Sequence, residues 1–205
     1  MRVIKPYYEI MYPSQLTNVN STIANAARTC YQSSPADDGR MVRSLVRSGH
    51  TAMLEHASMT VKFVCDRGIS HEIVRHRLAS FGQESTRYCN YAKDKFNSEI
   101  TVIKPRFFDE GTEAYDMWYD ACKYAEKQYF ALLNEGCSPE QARTVLPTSV
   151  KTEIIMTADM TEWRHFFRLR ALGTTGSPHP QMTELALPLL KECVELMPDV
   201  FGDLL

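Results

Sequence analysis

The residues of this chain best equipped for chemistry lie in one stretch, Arg75-His76-Arg77-Leu78-Ala79-Ser80-Phe81-Gly82-Gln83-Glu84-Ser85-Thr86-Arg87-Tyr88. Three guanidinium groups, an imidazole and several hydroxyls fall within these fourteen residues, with no lysine among them. Arginine is the cation suited to bidentate recognition of phosphate and carboxylate, so the chemistry to expect is the holding of an anion. The chain as a whole has a formal net charge of -2. Its attraction for anions is therefore local, unlike that of a protein that coats a nucleic acid polymer.

Other chemistries fit less well. His71-Glu72 followed by His76 looks like a zinc-protease helix, but that motif places its histidines four apart on one face. Five apart leaves His71 and His76 about 140° out of line. His50 and His56 have no cysteine at ligand spacing, so no metal is expected there either. Ser85 lies outside any Gly-x-Ser-x-Gly elbow, and no cysteine has an evident general base beside it. Neither Gly-x-Gly-x-x-Gly nor a P-loop occurs, so a bound nucleotide is not held by a glycine device.

Two readings of the arginines remain. If a helix carries Arg75-His76-Arg77, then Glu72, Arg75 and His76 share a face, and an intrahelical Glu72–Arg75 ion pair explains them without function. Alternatively, Ser80, Gln83, Ser85 and Arg87 converge with the arginines where the helix ends, overcoming a helix C-terminus that by itself repels anions.

The elements that must position this stretch follow from periodicity. Met59, Val61, Phe63 and Cys65 alternate with Ser58, Thr60, Lys62 and Val64, marking a strand with one buried face. Asp66-Arg67-Gly68 ends it, and a helix from Ile69 is expected to carry the arginines. Upstream, residues 2–12 alternate loosely and read as an edge strand, with Pro6 and Pro13 as breaks, and helices are expected over 18–31 and 37–48, the second closed by Gly49. Downstream come a short β run over 99–103 and the longest helix, over 112–133, with Tyr115, Trp118, Cys122, Ala125, Tyr129 and Leu132 at spacings of three and four. Ser138-Pro139-Glu140-Gln141 is a capping box that opens a helix running to Pro147. A strand over 153–158 leads to a helix over 161–172 that packs Trp163, Phe166, Phe167 and Leu169. Arg164, His165, Arg168 and Arg170 in its later turns suit the helix dipole. His179-Pro180 opens a last helix through Leu196, with Pro188 expected to kink it.

With 205 residues, 44% of them hydrophobic and 23% charged, the chain suits a single soluble domain over 1–205 with a full core. Met1-Arg2-Val3-Ile4-Lys5-Pro6 lacks the apolar core of a signal peptide, and no run is long enough to span a bilayer, so a cytoplasmic location with no membrane partner is expected. Cys30, Cys65, Cys89, Cys122, Cys137 and Cys193 show no paired spacing, which points to reduced, mostly structural thiols.

Arg75-His76-Arg77, seven residues and then Ser85 resembles the signature of the flavin-dependent thymidylate synthases. Ala27-Arg28-Thr29-Cys30-Tyr31, Gly49-His50 with Glu55-His56, Arg87-Tyr88, Ala142-Arg143-x-Val145-Leu146-Pro147 and Leu169-Arg170 with His179-Pro180 follow that family's order over roughly residues 20 to 185. The resemblance implies an α+β fold of antiparallel sheet and packed helices, of the thymidylate-synthase-complementing-protein type and unlike the Rossmann fold. It implies conversion of dUMP to dTMP, with 5,10-methylenetetrahydrofolate as carbon donor, reduced FAD as hydride source and NADPH to re-reduce the flavin. It also implies a homotetramer with active sites shared between subunits.

Carried over by position, the resemblance makes Glu72, Arg75, Gln83, Glu84, Ser85, Thr86, Arg87, Arg143 and Arg170 contacts of dUMP. Arg75, His76, Arg77, Gln83, His165 and His179 become contacts of FAD, with Cys30 and Glu55 bordering it, and His50 and Tyr88 lie on the folate or NADPH side. Arg170 is the catalytic residue: a guanidinium beside the uracil N3 stabilises the anion left by proton loss and raises electron density at C5, so no enzyme nucleophile is needed. The chain departs from the family's pattern at Ala52, Asp159 and Thr161, where a hydroxyl, an Asn and an Arg are common, and at Gly82, where a polar residue is common. Two rival readings stay open: a non-catalytic binding module for a phosphorylated ligand or RNA, with Tyr88 and Tyr91 stacking on bases, and a structural oligomer bridged by its arginines.

Overall fold

The computed structural model describes residues 1–34, 37–93 and 96–205. In chain order the elements are β1 (Arg2–Ile4), β2 (Tyr7–Met11), α1 (Val19–Tyr31), α2 (Asp38–Arg47), β3 (Ser58–Asp66), α3 (Arg67–Ile73) and β4 (Ala79–Gln83). There follow β5 (Thr101–Ile103), α4 (Glu113–Asn134), α5 (Pro139–Ala142), β6 (Lys151–Asp159), α6 (Met160–Arg170), α7 (Pro180–Leu196) and α8 (Pro198–Phe201). The architecture is the expected mixture of helices and antiparallel sheet and is not of the Rossmann type. A four-stranded sheet has the order β2-β3-β6-β4, with β2 on the edge, and β1 pairs with β5 separately. The pairing of β3 with β6 is antiparallel: Thr60 Oγ1 lies 2.9 Å from Thr157 Oγ1, and further along the Met160 N–H donates to the Ala57 carbonyl at 3.0 Å.

The described residues divide into two compact units with interleaved segments. The first comprises Met1–Tyr7, Phe63–Arg75 and Gly82–Ile154. Here β1 runs parallel to β5, Val3 opposite Val102, and the core gathers Tyr91, Ile100, Val102, Cys122, Tyr129 and Ala142. Thr112 starts α4 by accepting from the Tyr115 N–H, and Cys122 and Tyr129 on its buried stripe are the positions that the spacing predicts. The second unit comprises Tyr8–Lys62, His76–Phe81 and Ile155–Leu205. In it α6 packs on α7, α1 on α2 and α2 on α8. Trp163, Phe166, Phe167 and Phe201 are fully buried, and Phe167 meets Phe201 edge-on at 5.5 Å. The Trp163 Nε1–H donates to the Met59 carbonyl at 2.9 Å, so the indole satisfies its one polar group inside the core.

Three expectations about elements need correction, the first being the single edge strand over 2–12, which is two strands, β1 and β2, separated at Pro6 and paired in different sheets. The helix predicted to carry Arg75-His76-Arg77 stops at Ile73, and a strand begins at Ala79. Beyond Ile73 the apolar spacing fails, for Val74 and Leu78 are exposed. Ala79, Phe81 and Gln83 are half-buried while Ser80 and Gly82 are exposed, which is a period of two. Glu72, Arg75 and His76 therefore do not share a helical face. The helix expected from the capping box to Pro147 is a single turn, α5, followed by a 3-10 turn over Arg143–Val145. The box itself forms as predicted, but a proline at 147 disfavours helical backbone at Leu146. In contrast, α7 runs through Pro188 without interruption.

Candidate functional site

In the first unit, Asp66 caps α3 by accepting from the Ile69 N–H at 2.8 Å, which brings the chain to the buried Ser70. The Gln83 amide at the end of β4 donates to Ser70 Oγ at 2.8 Å and to Thr152 Oγ1 at 3.2 Å. The Glu84 carboxylate lies 2.9 Å from Lys151 Nζ, and its backbone N–H donates to the Glu153 carbonyl at 2.8 Å. These bonds fix the start of a turn in which the Ser85 carbonyl accepts from the Tyr88 and Cys89 N–H groups at 3.1 and 2.9 Å. Ser85 Oγ accepts from the Arg87 N–H at 3.3 Å, so the hydroxyl shapes the turn.

Thr86 is buried, with Arg143 Nη1 3.5 Å from its hydroxyl. Arg87 pairs with Glu140 at 3.1 Å and lies over the exposed Tyr88 ring at 5.5 Å. That ion pair is half exposed on both sides and of the kind worth 0–1 kcal/mol, roughly, so a competing anion displaces it at little cost. Gln83 through Arg87 and Arg143 are thus brought together in one unit, with Glu72 half-buried and Arg75 exposed.

In the second unit the residues assemble around His76, which is 3% exposed. Arg170 Nε donates to His76 Nε2 at 3.1 Å, across 94 positions of sequence. His76 Nδ1 lies 2.9 Å from Glu162 Oε1. A guanidinium N–H can only donate, so Nε2 is the acceptor, and the ring proton sits on Nδ1 and is donated to Glu162. Burial, then the charge of Arg170 and the neighbouring His165, lower the His76 pKa to about 4, which keeps the ring neutral at physiological pH. Burial raises the Glu162 carboxyl, with His165 opposing. Phe166 closes edge-on against the His76 ring at 5.0 Å. The result is a chain Glu162–His76–Arg170 that fixes the roll of one guanidinium.

His165, exposed, stands edge-on to His76 at 5.7 Å between ring centres. His76, Glu162 and His165 are the group among the described residues whose ligand atoms lie close enough for a metal, all within 4.8 Å. Both ring nitrogens of His76 already serve the chain, so a metal there would dismantle it. His179 caps α7, its Nδ1 accepting from the Gln181 N–H at 3.3 Å. Arg77 and Cys30 are exposed, as are Glu55 and His50, in and before a 3-10 turn over Thr51–His56. His50 lies on a cavity of about 490 Å³ that Arg40, Met41 and Leu45 also line. The departures have structural uses: Asp159 caps α6, accepting from the Glu162 N–H at 2.8 Å, and the Thr161 hydroxyl donates to the Thr51 carbonyl at 2.7 Å. Arg164, expected to complement the helix dipole, is instead buried and forked on the Asp203 carboxylate, with both bonds at 2.7 Å.

Sequence reasoning missed two features. Glu162 entered no expectation, because nothing in its spacing links it to His76. Arg67 was read only as a strand end, yet it lines a cavity of about 190 Å³ together with His71, Thr86 and Arg143. Within the second unit, the exposed guanidinium of Arg77 and the exposed imidazoles of His165 and His179 are groups whose chemistry fits a cofactor that carries phosphate oxygens.

A relative from Pyrococcus furiosus, named flavin-dependent thymidylate synthase, is 39% identical over 123 residues, 60% of this chain and 50% of that protein. The chain spans about half the length of that relative and of a similar one from Pyrococcus abyssi. One from Geobacter sulfurreducens with the same name is 31% identical over 194 residues, 89% of this chain and 81% of the relative. The crystal structure of PolB from Streptomyces cacaoi, a UMP/dUMP methylase bound with 5-Br UMP, superposes with a TM-score of 0.78 over 98% of this chain and 95% of that one. At 22% identity this establishes a shared fold. The motif residues, the fold and a match to the family model described as thymidylate synthase complementing protein over residues 14–199 together show that the chain belongs to that family.

Proposed function

We propose that this protein is a flavin-dependent thymidylate synthase, an enzyme that converts dUMP to dTMP with 5,10-methylenetetrahydrofolate as the one-carbon donor. The observation that carries the reading is the meeting of His76, from the signature, with Arg170 at 3.1 Å. A signature residue is thereby tied to the very side chain expected to activate the base.

Arg170 acts on uracil: its fixed charge stabilises the anion formed when N3 loses its proton, and the added electron density at C5 lets that carbon attack without an enzyme nucleophile. His76 acts through Arg170, since the neutral ring holds Nε while Glu162 holds the ring. Glu72, Arg75, Gln83, Glu84, Ser85, Thr86, Arg87 and Arg143 bind the nucleotide, and the Arg87–Glu140 pair opens to release a guanidinium for it. Arg75, Arg77, Gln83, His165 and His179 contact FAD, with Cys30 and Glu55 at its border, and His50 and Tyr88 face the folate or NADPH; His76, expected as a flavin contact, is buried with both ring nitrogens engaged and serves Arg170 instead. FAD supplies the hydride when reduced, NADPH being the source of its electrons. The chain acts as a homotetramer, a reading supported by exposed apolar side chains that a second copy would cover, Leu78 at 74% in the second unit and Tyr88 at 76% in the first.

Purified protein supplied with dUMP, methylenetetrahydrofolate, FAD and NADPH is expected to form dTMP. Arg170→Ala is expected to keep flavin absorbance and lose dTMP formation by about a hundredfold, the scale of removing one preorganised electrostatic donor. Full activity in that variant removes Arg170 from the reaction, and failure of the wild-type protein to take up FAD removes the reading altogether.

A further inference from the structure

The cavity of about 190 Å³ in the first unit is lined by Arg67, His71, Thr86, Arg143 and Thr148 on its polar side. No carboxylate is among the described residues that line it. Arg67 Nη1 is shut off from solvent and has no hydrogen-bond partner among the described residues. The Arg67 backbone is pinned, its N–H donating to the Thr148 carbonyl at 3.0 Å, and its side chain leaves the first turn of α3. Arg143 and His71 are exposed, and the Thr86 hydroxyl is buried. A buried guanidinium nitrogen is costly to leave unsatisfied, and two arginines gathered without a carboxylate repel each other. The repulsion is relieved when an oxyanion enters the cavity, whose volume of about 190 Å³ admits a phosphate group.

We propose that Arg67 and His71 form a phosphate subsite with Arg143, in which Arg67 binds the innermost oxygens of a phosphomonoester and His71 adds a ring N–H donor at the rim. This rests on the dUMP reading and deepens it, for neither residue belongs to the signature. Thr86 donates its hydroxyl to the same group, and Arg143 turns from its long 3.5 Å contact with Thr86 to meet it. The subsite selects a nucleoside monophosphate over the free nucleoside.

Titration calorimetry on the full chain, with dUMP, 2′-deoxyuridine and inorganic phosphate as probes, tests this. Arg67→Gln is expected to weaken dUMP binding by about 10- to 100-fold, to abolish competition by phosphate and to leave deoxyuridine affinity unchanged, with Arg67→Lys intermediate. His71→Glu, at an exposed position where folding is not at stake, is expected to weaken dUMP binding at least tenfold and deoxyuridine binding not at all, roughly the effect of a like charge beside phosphate. Unchanged dUMP affinity in both variants, or equal losses for dUMP and deoxyuridine, overturns the subsite while leaving the dUMP reading intact. Wild-type protein that binds phosphate through Arg67 but shows no affinity for dUMP overturns the dUMP reading and keeps an anion site. Binding of neither probe overturns both.

Discussion

His76 shows how one buried side chain ties the proposed chemistry to stability. Free imidazole titrates near 6.5, whereas burial, Arg170 and His165 depress this ring to about 4. As pH falls below 6.5 the unfolded chain binds a proton that the folded chain refuses until about 4, so the unfolded state holds more protons in that window and stability drops with pH. The contribution of the neutral ring is complete above 6.5 and is lost as pH falls through the folded value. Between pH 7.5 and 5.0 the wild-type protein is therefore expected to lose about 2 kcal/mol that a His76→Gln variant does not lose. Urea unfolding of both proteins at the two pH values checks this, and parallel losses would sink the assignment of a neutral ring. Activity at pH 7.5 should fall in the same variant, because glutamine does not bridge Glu162 to Arg170 with a rigid ring.

At the scale of elements, α6 is positioned by residues at which the chain departs from its family's usual pattern. Asp159 supplies the first cap of the helix and Thr161 ties its first turn to the Thr51 carbonyl. Asp159→Ala is expected to lower stability by about 1 kcal/mol and Asp159→Asn by only a few tenths, since asparagine also caps. Equal denaturation midpoints for the two variants would assign the aspartate some role other than capping. Capping is also where sequence and structure agree best: the Ser138 box and the aromatic run of α6 were legible because they are local patterns. The end of α3 was less so. Its strand successor has five residues, and the half-buried alternation of Ala79, Phe81 and Gln83 is weak beside a run of charged residues that reads equally well as helix. The meeting of His76 with Arg170 was beyond local pattern altogether, because only the packing of α6 decides which side chain reaches that ring.

Over the whole molecule, the cysteines report whether the chain behaves as the single domain that its length suggests. Cys65 and Cys122 belong to the first unit and Cys193 to the second, and all three are buried. Burial pushes the Cys122 thiol up to about 11 and raises Cys65 and Cys193 well above the usual range, so none offers a thiolate near neutral pH. Cys30 is exposed, and Cys89 and Cys137 are partly so. β3 and β6 contribute residues to both units, so neither unit holds a complete set of its own strands. Loss of structure in one then removes residues from the strands of the other, and the three buried thiols are expected to become reactive at a single rate, set by global unfolding. A disulfide reagent at pH 8, with modified cysteines identified by peptide mass, should label Cys30 first, Cys89 and Cys137 more slowly, and the buried three together. Labelling of Cys193 at a rate distinct from that of Cys65 and Cys122 would instead divide the chain into two independently unfolding parts.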